Sequence, residues 1–160
     1  MDPKRWRLDG QLALVTGGSA GIGRAVAREL LGFGADVLLA ARDIAALDAV
    51  RAELIEDFPE RDVQAFVADV ADEEQRRELL DWVEDFGEGL HILVNNAGGN
   101  LTRPSTDYTE DEWRQVFEVN VFSAFELSRY AHPLLTRHAA SCIVNVASVS
   151  GMTHVRTGAP

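Results

Sequence analysis

The segment "LALVTGGSAGIGRA", Leu12 to Ala25, decides the fold of this chain. Its apolar beginning, residues 12–16, is typical of a buried strand, and Gly17, Gly21 and Gly23 follow at the turn into a helical pattern. Glycine allows a tight turn, a close approach of the backbone to a phosphate, and free N–H groups at the start of a helix. The segment therefore predicts a phosphate-binding turn after the first strand, with a tight turn that binds no ligand as the alternative.

Strand-like and helix-like segments alternate along the rest of the chain. The predicted strands are five short apolar runs, at residues 12–16, 36–41, 63–68, 91–96 and 142–147. Most of them are apolar nearly throughout, which is typical of strands buried on both faces of a parallel sheet. Because a helix-like segment separates each strand from the next, the pattern predicts an α/β fold with a doubly wound parallel sheet and right-handed crossovers.

The helix-like segments carry apolar stripes. In the first helix the predicted stripe runs from Ile22 through Val26 and Leu30 to Phe33. The longest segment, residues 110–137, is predicted to be one helix that Pro133 bends near its end. Asn120 lies inside the apolar stripe of that helix, so a buried amide with hydrogen-bond partners is expected there. An asparagine bonded to its own helix backbone is the alternative.

Composition excludes several classes of function. The chain has 160 residues, of which 26 are acidic and 15 basic, for a net charge of −11. Nucleic acids and anionic membranes require clustered positive charge, so neither is an expected partner. No apolar run approaches the roughly 18 residues of a membrane span, and the lone Cys142 is predicted to fill the core of a cytoplasmic protein. The four histidines show no ligand-like spacing, so no metal site is expected.

Two motifs resemble those of a known family. "TGGSAGIG" (Thr16 to Gly23) resembles the cofactor motif of the short-chain dehydrogenases/reductases, and "NNAG" (Asn95 to Gly98) resembles their second signature. "RWRLDGQLALVTGG" and "GLHILVNNAG" further resemble the tropinone-reductase-like branch. The resemblance implies a Rossmann-type sheet with strand order 3-2-1-4-5, in one dinucleotide-binding domain (residues 1–160) that lacks the family's final strands. It also implies a homo-oligomer, dimer or tetramer, when full length.

The end of the second strand is where such sites choose between NAD and NADP. Ala41 stands where NAD-preferring relatives carry an acid, and Arg42 after it favours NADP. Asp43 keeps NAD open, or caps the next helix. By resemblance, Asp69 and Val70 contact the adenine, although Asp69 as a helix cap is an equal alternative. The resemblance implies the following cofactor-binding residues: Gly17, Ser19, Gly21, Ile22, Gly23, Arg42, Asp69, Val70, Asn95, Ala97 and Gly98.

The implied reaction is hydride transfer between NADP(H) or NAD(H) and a carbonyl or alcohol substrate. Asn120 and Ser148 match two members of the family's catalytic tetrad of Asn, Ser, Tyr and Lys. Ser148 would orient the substrate oxygen, and Asn120 would hold a water of the proton relay. Ser150 matches less well, because the family serine stands three residues before the glycine that is Gly151 here. The Tyr-x-x-x-Lys motif would begin just beyond Pro160, so the 160 residues alone are expected to be nearly inactive.

Two other functions stay open at this point. A non-catalytic dinucleotide-binding protein would need no Tyr/Lys pair. A doubly wound methyltransferase would also place a glycine turn after its first strand, although "NNAG" and Ser148 count against it.

Overall fold

Five parallel strands form a sheet in the order β3-β2-β1-β4-β5. They are β1 (Leu12–Thr16), β2 (Asp36–Ala41), β3 (Val63–Val67), β4 (Ile92–Asn95) and β5 (Cys142–Asn145). The computed structural model describes residues 6–87 and 89–152 of the chain. Within that part, the predicted fold class and the predicted strand order 3-2-1-4-5 are confirmed.

The observed strands match the predicted ranges to within two residues. β1 and β2 have the predicted ends, whereas β3, β4 and β5 are shorter by one or two residues. Pairing sets these limits: β4 pairs with three residues of β1, Ala13 to Val15, and β5 pairs with the four residues of β4. A strand ends where its neighbour no longer offers hydrogen-bond partners.

Helices cover both faces of the sheet. One face packs against α1 (Gly21–Gly32) and α2 (Ile44–Asp57), and the other packs against α3 (Glu73–Asp85) and a long helical segment. The long segment consists of α4 (Glu110–Phe117), a π-helical turn (Glu118–Phe122) and α5 (Ser123–Leu135). The single helix predicted over residues 110–137 is therefore interrupted by the π-helical turn. No helix among the described residues is both long enough and apolar enough to cross a membrane.

The central strand β1 is buried on both sides. Leu14 belongs to the apolar cluster that contains Leu79 of α3 and Leu127 of α5. Its neighbour Val15 belongs to the cluster that contains Leu31 of α1 on the opposite face. Burying one such side chain stabilises the fold by about 1.5–3 kcal/mol. The apolar character of the run at residues 12–16 is thus explained by two helical layers.

The apolar stripe predicted for the first helix, from Ile22 to Phe33, is shifted by one residue. The residues that α1 buries are Gly23, Ala27 and Leu31. Ile22 and Phe33, in contrast, are 62% and 44% exposed. Small residues on the inner face bring the helix axis close to the sheet, and larger neighbours are left at the sides.

The prediction that Cys142 fills the core is wrong. Cys142 is exposed, as are all four residues of β5. β5 forms the edge of the sheet in the described part of the chain, and Ile143 and Val144 are 40% and 46% exposed. An apolar strand sequence indicates that a strand should be covered, but it does not show which residues cover it.

Aspartates begin two of the helices. Asp43 caps α2, because its Oδ1 accepts a hydrogen bond from the Ala46 N–H at 3.0 Å. The cap of α3 is Asp72, which accepts from the Gln75 N–H at 3.0 Å. The helix-cap alternative is therefore confirmed for Asp43 and wrong for Asp69.

Two histidine rings stack at the amino ends of β1 and β4, away from the glycine turn. The centroids of His91 and His138 are 3.6 Å apart. His91 Nδ1 accepts a hydrogen bond from the Leu12 N–H at 3.1 Å, so this nitrogen is unprotonated in the fold. Burial, and secondarily the neighbouring His138, lower the pKa of His91 from its ordinary value of 6.5.

This histidine pair makes stability depend on pH. Because the pKa of His91 is lower in the folded state, the unfolded state binds more protons as pH falls below about 6.5, and stability is lost there. We expect the midpoint temperature of unfolding, measured by circular dichroism, to fall between about pH 7.5 and about pH 5.5. His138→Phe keeps a ring but removes the electrostatic effect of His138 on the pKa of His91, so it should weaken that fall. His132→Phe, at an exposed position, is the matched control, and equal pH profiles for the two variants would contradict the prediction.

Candidate functional site

A cleft of about 250 Å³ lies at the carboxyl ends of β1 to β4, where ligands bind in open parallel sheets. Its walls come from the ends of those four strands and from the π-helical turn. The lining residues are Gly17, Ser19, Ala40, Ala41, Arg42, Asp43, Ala68, Asp69, Val70, Asn96, Ala97, Gly98 and Val119. No group of three or more His, Cys, Asp or Glu side chains within residues 6–87 and 89–152 could hold a metal ion.

The glycine turn is shaped by contacts that a side chain would block. Gly17 and Gly21 have φ values of +65° and +51°, a region that other residues rarely adopt. A Cβ atom at Gly23 would lie 2.3 Å from the Gly17 carbonyl oxygen and 2.5 Å from Asn96 Nδ2. The first turn of α1 can therefore approach the strand ends only with glycine at residue 23.

Two side chains outside the predicted set, Thr16 and Asn96, hold this turn in place. Thr16 Oγ1 donates to the Val94 carbonyl oxygen at 3.3 Å and accepts from the N–H groups of Asn96 and Ala97, both at 3.0 Å. Asn96 Nδ2 donates to the carbonyl oxygens of Thr16 and Gly17 at 2.9 and 3.2 Å. The signal that could have found them is their position, since each is a polar residue at the end of a buried strand.

The amino terminus of α1 differs from those of α2 and α3. Its N-cap residue, Ala20, offers no side-chain oxygen, whereas Asp43 and Asp72 cap the other two helices. Its first turn also carries no acidic residue, as is the case in α2. The first N–H groups of an uncapped helix lack acceptors within the helix, and the helix dipole places positive charge there. This end of α1 therefore favours an anionic ligand.

Arg42 and Asp69 form one wall of the cleft. Arg42 Nη1 lies 3.6 Å from Asp69 Oδ2, and the Arg42 side chain is 68% exposed. The Asp69 carboxylate also accepts from the Ala71 N–H at 2.9 Å, and the Asp69 N–H donates to Gln75 Oε1 at 2.8 Å. Asp69 is thus fixed, whereas an exposed ion pair of this length is weak and leaves the guanidinium available to an anion.

Asn95 lies beside the cleft but does not line it. The residue is 5% exposed, and its Nδ2 donates to the Ala124 carbonyl oxygen, Ser128 Oγ and Asn145 Oδ1 at 3.3, 3.1 and 2.9 Å. Its side chain therefore points toward α5 and β5 and joins them to β4. Asn95 Oδ1 is buried without a partner among the described residues.

Asn120 lies in the π-helical turn and is exposed, so the expectation of a buried amide is wrong. Its Nδ2 donates to the carbonyl oxygens of Val116 and Gly99 at 2.8 and 2.7 Å, and its Oδ1 accepts from the Gly99 N–H at 3.1 Å. A Cβ atom at Gly98 would lie 2.9 Å from Asn120 Oδ1. The amide therefore bonds its own helix and also the loop after β4.

Ser148 follows β5 by three residues and is exposed. It caps a short 3₁₀ turn, Val149–Gly151, because its Oγ accepts from the Ser150 N–H at 3.2 Å. Its Oγ also lies 3.2 Å from Ser150 Oγ. The hydroxyl is thus held at the carboxyl end of the edge strand with an open side.

The sequence profile of one family, described as short chain dehydrogenase, matches residues 11–160. The chain belongs to the short-chain dehydrogenase family. A tropinone reductase homologue from Arabidopsis thaliana is 44% identical over 160 residues, which make up 99% of this chain and 58% of the homologue. The resemblance to the tropinone-reductase-like branch is therefore confirmed.

Two solved structures share the fold of this chain. RhlG from Pseudomonas aeruginosa, in an active-site complex with NADP, is 36% identical, with a TM-score of 0.86 over 97% of this chain and 60% of RhlG. L-sorbose reductase from Gluconobacter frateurii, complexed with NADPH and L-sorbose, is 29% identical, with a TM-score of 0.87 over 92% of this chain and 56% of the reductase. The chain thus spans less than two thirds of the length of these relatives.

The predicted site residues of this member of the family fall into groups. Seven of them line the cleft: Gly17, Ser19, Arg42, Asp69, Val70, Ala97 and Gly98. Gly21, Ile22 and Gly23 form the first turn of α1. Asn120 contacts Gly98 and Gly99 in the loop after β4, whereas the side chain of Asn95 faces α5.

The close contact at residue 23 can be tested directly. We expect Gly23→Ala to lower the free energy of unfolding by about 1–3 kcal/mol, because its methyl group would meet the Gly17 carbonyl and the Asn96 amide, which hydrogen bonds hold in place. Denaturation by urea measures the loss. Gly87→Ala is the matched control, because no atom lies within 4 Å of its Cβ position. A loss at residue 87 as large as that at residue 23 would refute the packing argument.

Proposed function

We propose that the whole protein is an NADP(H)-dependent oxidoreductase, which transfers hydride between the nicotinamide and a carbonyl or alcohol substrate. The observation that carries the proposal is the cleft: the start of the glycine turn and Arg42 line it, and the uncapped terminus of α1 follows that turn directly in the chain. Family membership supports it, and so do the structures of RhlG with NADP and of L-sorbose reductase with NADPH.

The groups around the cleft fit the parts of a dinucleotide. The glycine turn and the first N–H groups of α1 would hold the pyrophosphate. The fixed Asp69 carboxylate can accept a hydrogen bond from the adenine amino group, next to Val70. Ala97 and Gly98 would line the ribose next to the nicotinamide. When bound, the nicotinamide gives or takes the hydride.

Arg42 favours NADP over NAD. A 2′-phosphate can take charge-assisted hydrogen bonds from its exposed guanidinium. NAD selection instead requires a carboxylate that is free to bind the ribose hydroxyls. The carboxylate next along the chain, Asp43, already caps α2 by bonding the Ala46 N–H. NAD is the second candidate.

Ser148 and Asn120 would act at the reacting end. The exposed Ser148 hydroxyl can donate to the substrate oxygen and so polarise a carbonyl group for hydride transfer. Both N–H groups of the Asn120 amide are engaged by Gly99 and Val116. Its Oδ1 accepts one hydrogen bond and has capacity for a second, from a water of the proton relay.

The general acid/base of the family is a tyrosine, and the two tyrosines of this chain lie elsewhere. Tyr108 donates to the Leu101 carbonyl oxygen, and Tyr130 contacts Arg77 and Arg129. The single lysine, Lys4, lies outside the described residues. We propose that the 160 residues alone bind the dinucleotide but lack the roughly 10²- to 10⁴-fold contribution of a positioned acid/base.

We also propose that residues 1–160 belong to one dinucleotide-binding domain of a cytoplasmic homo-oligomer, a dimer or tetramer. Apolar side chains exposed along α4, the π-helical turn and α5 support self-association: Trp113, Phe117, Val121, Phe122 and Phe125. A second copy that covered this stripe would remove it from water. Nucleic acid and anionic membranes are not proposed as partners, because the net charge is −11.

The cofactor proposal is tested by fluorescence titration with NADPH, NADH and S-adenosylmethionine. We expect NADPH to bind most tightly. Arg42→Ala should raise the Kd for NADPH by about 10- to 100-fold, because a hydrogen bond from a charged group is lost, and should change the Kd for NADH little. Arg114→Ala is the control, since this exposed arginine pairs with Glu110 on α4. Equal losses for both dinucleotides would contradict the role of Arg42, and tighter binding of S-adenosylmethionine would overturn the proposed function.

The reacting residues are tested in the full-length protein with NADPH and a panel of small carbonyl compounds. We expect Ser148→Ala to lower kcat by about 10²- to 10³-fold, because a donor to the developing charge is lost. Ser150→Ala is a matched control, since it keeps the N–H that bonds Ser148 Oγ. Full-length protein that binds NADPH but reduces none of the panel would favour a non-catalytic dinucleotide-binding protein.

A further inference from the structure

Arg76 of α3 is a buried charged residue that the proposed site does not use. It is 2% exposed, and it alone among the charged residues of the described part of the chain is buried. Burying a guanidinium is unfavourable unless its N–H groups are paired and hydrogen-bonded. The groups that satisfy Arg76 therefore indicate which parts of the fold it connects.

Arg76 joins the loop after β3 to the long helical segment. Its Nη1 donates to the Val70 carbonyl oxygen at 2.6 Å. Its Nε and Nη2 both donate to Glu126 Oε2 of α5, at 3.0 and 2.7 Å. Its Nη1 also lies 3.6 Å from Glu118 Oε2, in the π-helical turn. One side chain thus contacts backbone on one side and two carboxylates on the other.

The two carboxylates share one helix face because of the π-helical turn. In a regular α-helix, the eight residues from Glu118 to Glu126 would rotate by about 800°, which is about 80° beyond two full turns. A π-helical turn takes up about one additional residue, so the rotation falls about 20° short of two full turns and both carboxylates face α3. Arg76 can pair with both when the turn is present, and that same turn presents Asn120.

Two of the three partners of Arg76, Val70 and Glu118, lie next to the cleft. Val70 lines the cleft directly after Asp69, whose N–H bonds Gln75, the residue before Arg76. Asn120 lies two residues after Glu118 and bonds Gly99 beyond the opposite wall. Arg76 therefore connects the adenine side of the cleft to the side on which the reaction would occur.

We propose that Arg76 is a positioning residue, which keeps the loop at Val70 and the π-helical turn that carries Asn120 in one fixed arrangement. The inference rests on the proposed function. The guanidinium is suited to this task because its planar fork holds several acceptors at once, whereas the ammonium of a lysine is a point charge on a flexible stem. Arg76→Lys should therefore keep the charge without keeping the arrangement.

The test uses the full-length protein and compares Arg76→Met and Arg76→Lys with Arg77→Met. Arg77 is the next residue of α3, is exposed and pairs with Glu73, so it is the matched control. We expect both Arg76 variants to lower kcat by about tenfold and to raise the Kd for NADPH by about fivefold, at a temperature where each is folded by circular dichroism. The control should change neither quantity. Arg76 variants with a lower midpoint temperature but unchanged kcat and Kd would overturn the proposal.

A double-mutant cycle tests whether Arg76 acts through Asn120. Arg76→Met should lower kcat about tenfold in the wild-type background but less than about twofold in the Asn120→Ala background. Equal factors in the two backgrounds would overturn the proposal, because a structural brace acts independently of Asn120.

A second variant covers the case in which Arg76→Met does not fold. Glu118 is 39% exposed, so Glu118→Gln should fold. We expect it to lower kcat by about threefold and to leave the Kd for NADPH unchanged, since its link is to the π-helical turn alone. An unchanged kcat would overturn the inference.

Wild-type protein that does not bind NADPH would overturn the proposed function, whereas NADPH binding together with Arg76 variants that behave like the control would overturn this inference alone.

Discussion

The hydrogen bonds between Thr16 and the start of the "NNAG" stretch determine much of this structure. Thr16 is 1% exposed, so its hydroxyl exchanges bonds with the backbone of β4 in a place from which water is excluded. In return, the Asn96 side-chain amide donates two hydrogen bonds to the backbone carbonyl oxygens of Thr16 and Gly17. These contacts fix two strand ends against each other, and a side chain at Gly23 would intrude on them. The same hydrogen bonds therefore determine how the two strands pack and how the cleft is shaped.

A second set of polar contacts extends outward from that junction. Asn95 joins β4 to β5 and α5, and Asn120 joins the π-helical turn to the loop after β4. Arg76 then ties the same helical segment to the loop after β3. The loops after β3 and β4 and the π-helical turn are thus each held by a side chain that bonds backbone or an opposite charge. The irregular helical turn carries two polar side chains, Glu118 and Asn120, and each has a partner that helps to hold the turn in place.

The sequence predicts the sheet well, because the information needed is local. Apolar runs mark the strands, and the glycine spacing marks the turn after β1. The buried face of α1 lies one residue away from the predicted apolar stripe. Gly23 and Ala27 face the sheet because their small size lets the helix approach it closely, not because they are hydrophobic. Cys142 was misjudged because the apolarity of a strand says nothing about what covers it.

Two features of the site depend on contacts that no local pattern contains. The π-helical turn changes the helical period midway through the long segment, so the stripe through Asn120 has a different phase on its two sides. Arg76 lies in the strongly charged run "DEEQRRE", which is typical of a solvated helix face. Its carboxylate partners are 42 and 50 residues further along the chain, at Glu118 and Glu126.

The exposed guanidinium of Arg42 has a consequence for the rate at which ligands arrive. At long range, a phosphate-bearing molecule that approaches this chain is repelled by the net charge of −11. At the rim of the cleft, it meets the accessible guanidinium of Arg42. Dissolved ions screen the long-range repulsion strongly, because it acts over distances greater than the Debye length of about 8 Å. They screen the short contact with the guanidinium less. Added salt should therefore speed encounter while shortening residence, so that arrival and retention of an anion respond to ionic strength in opposite directions.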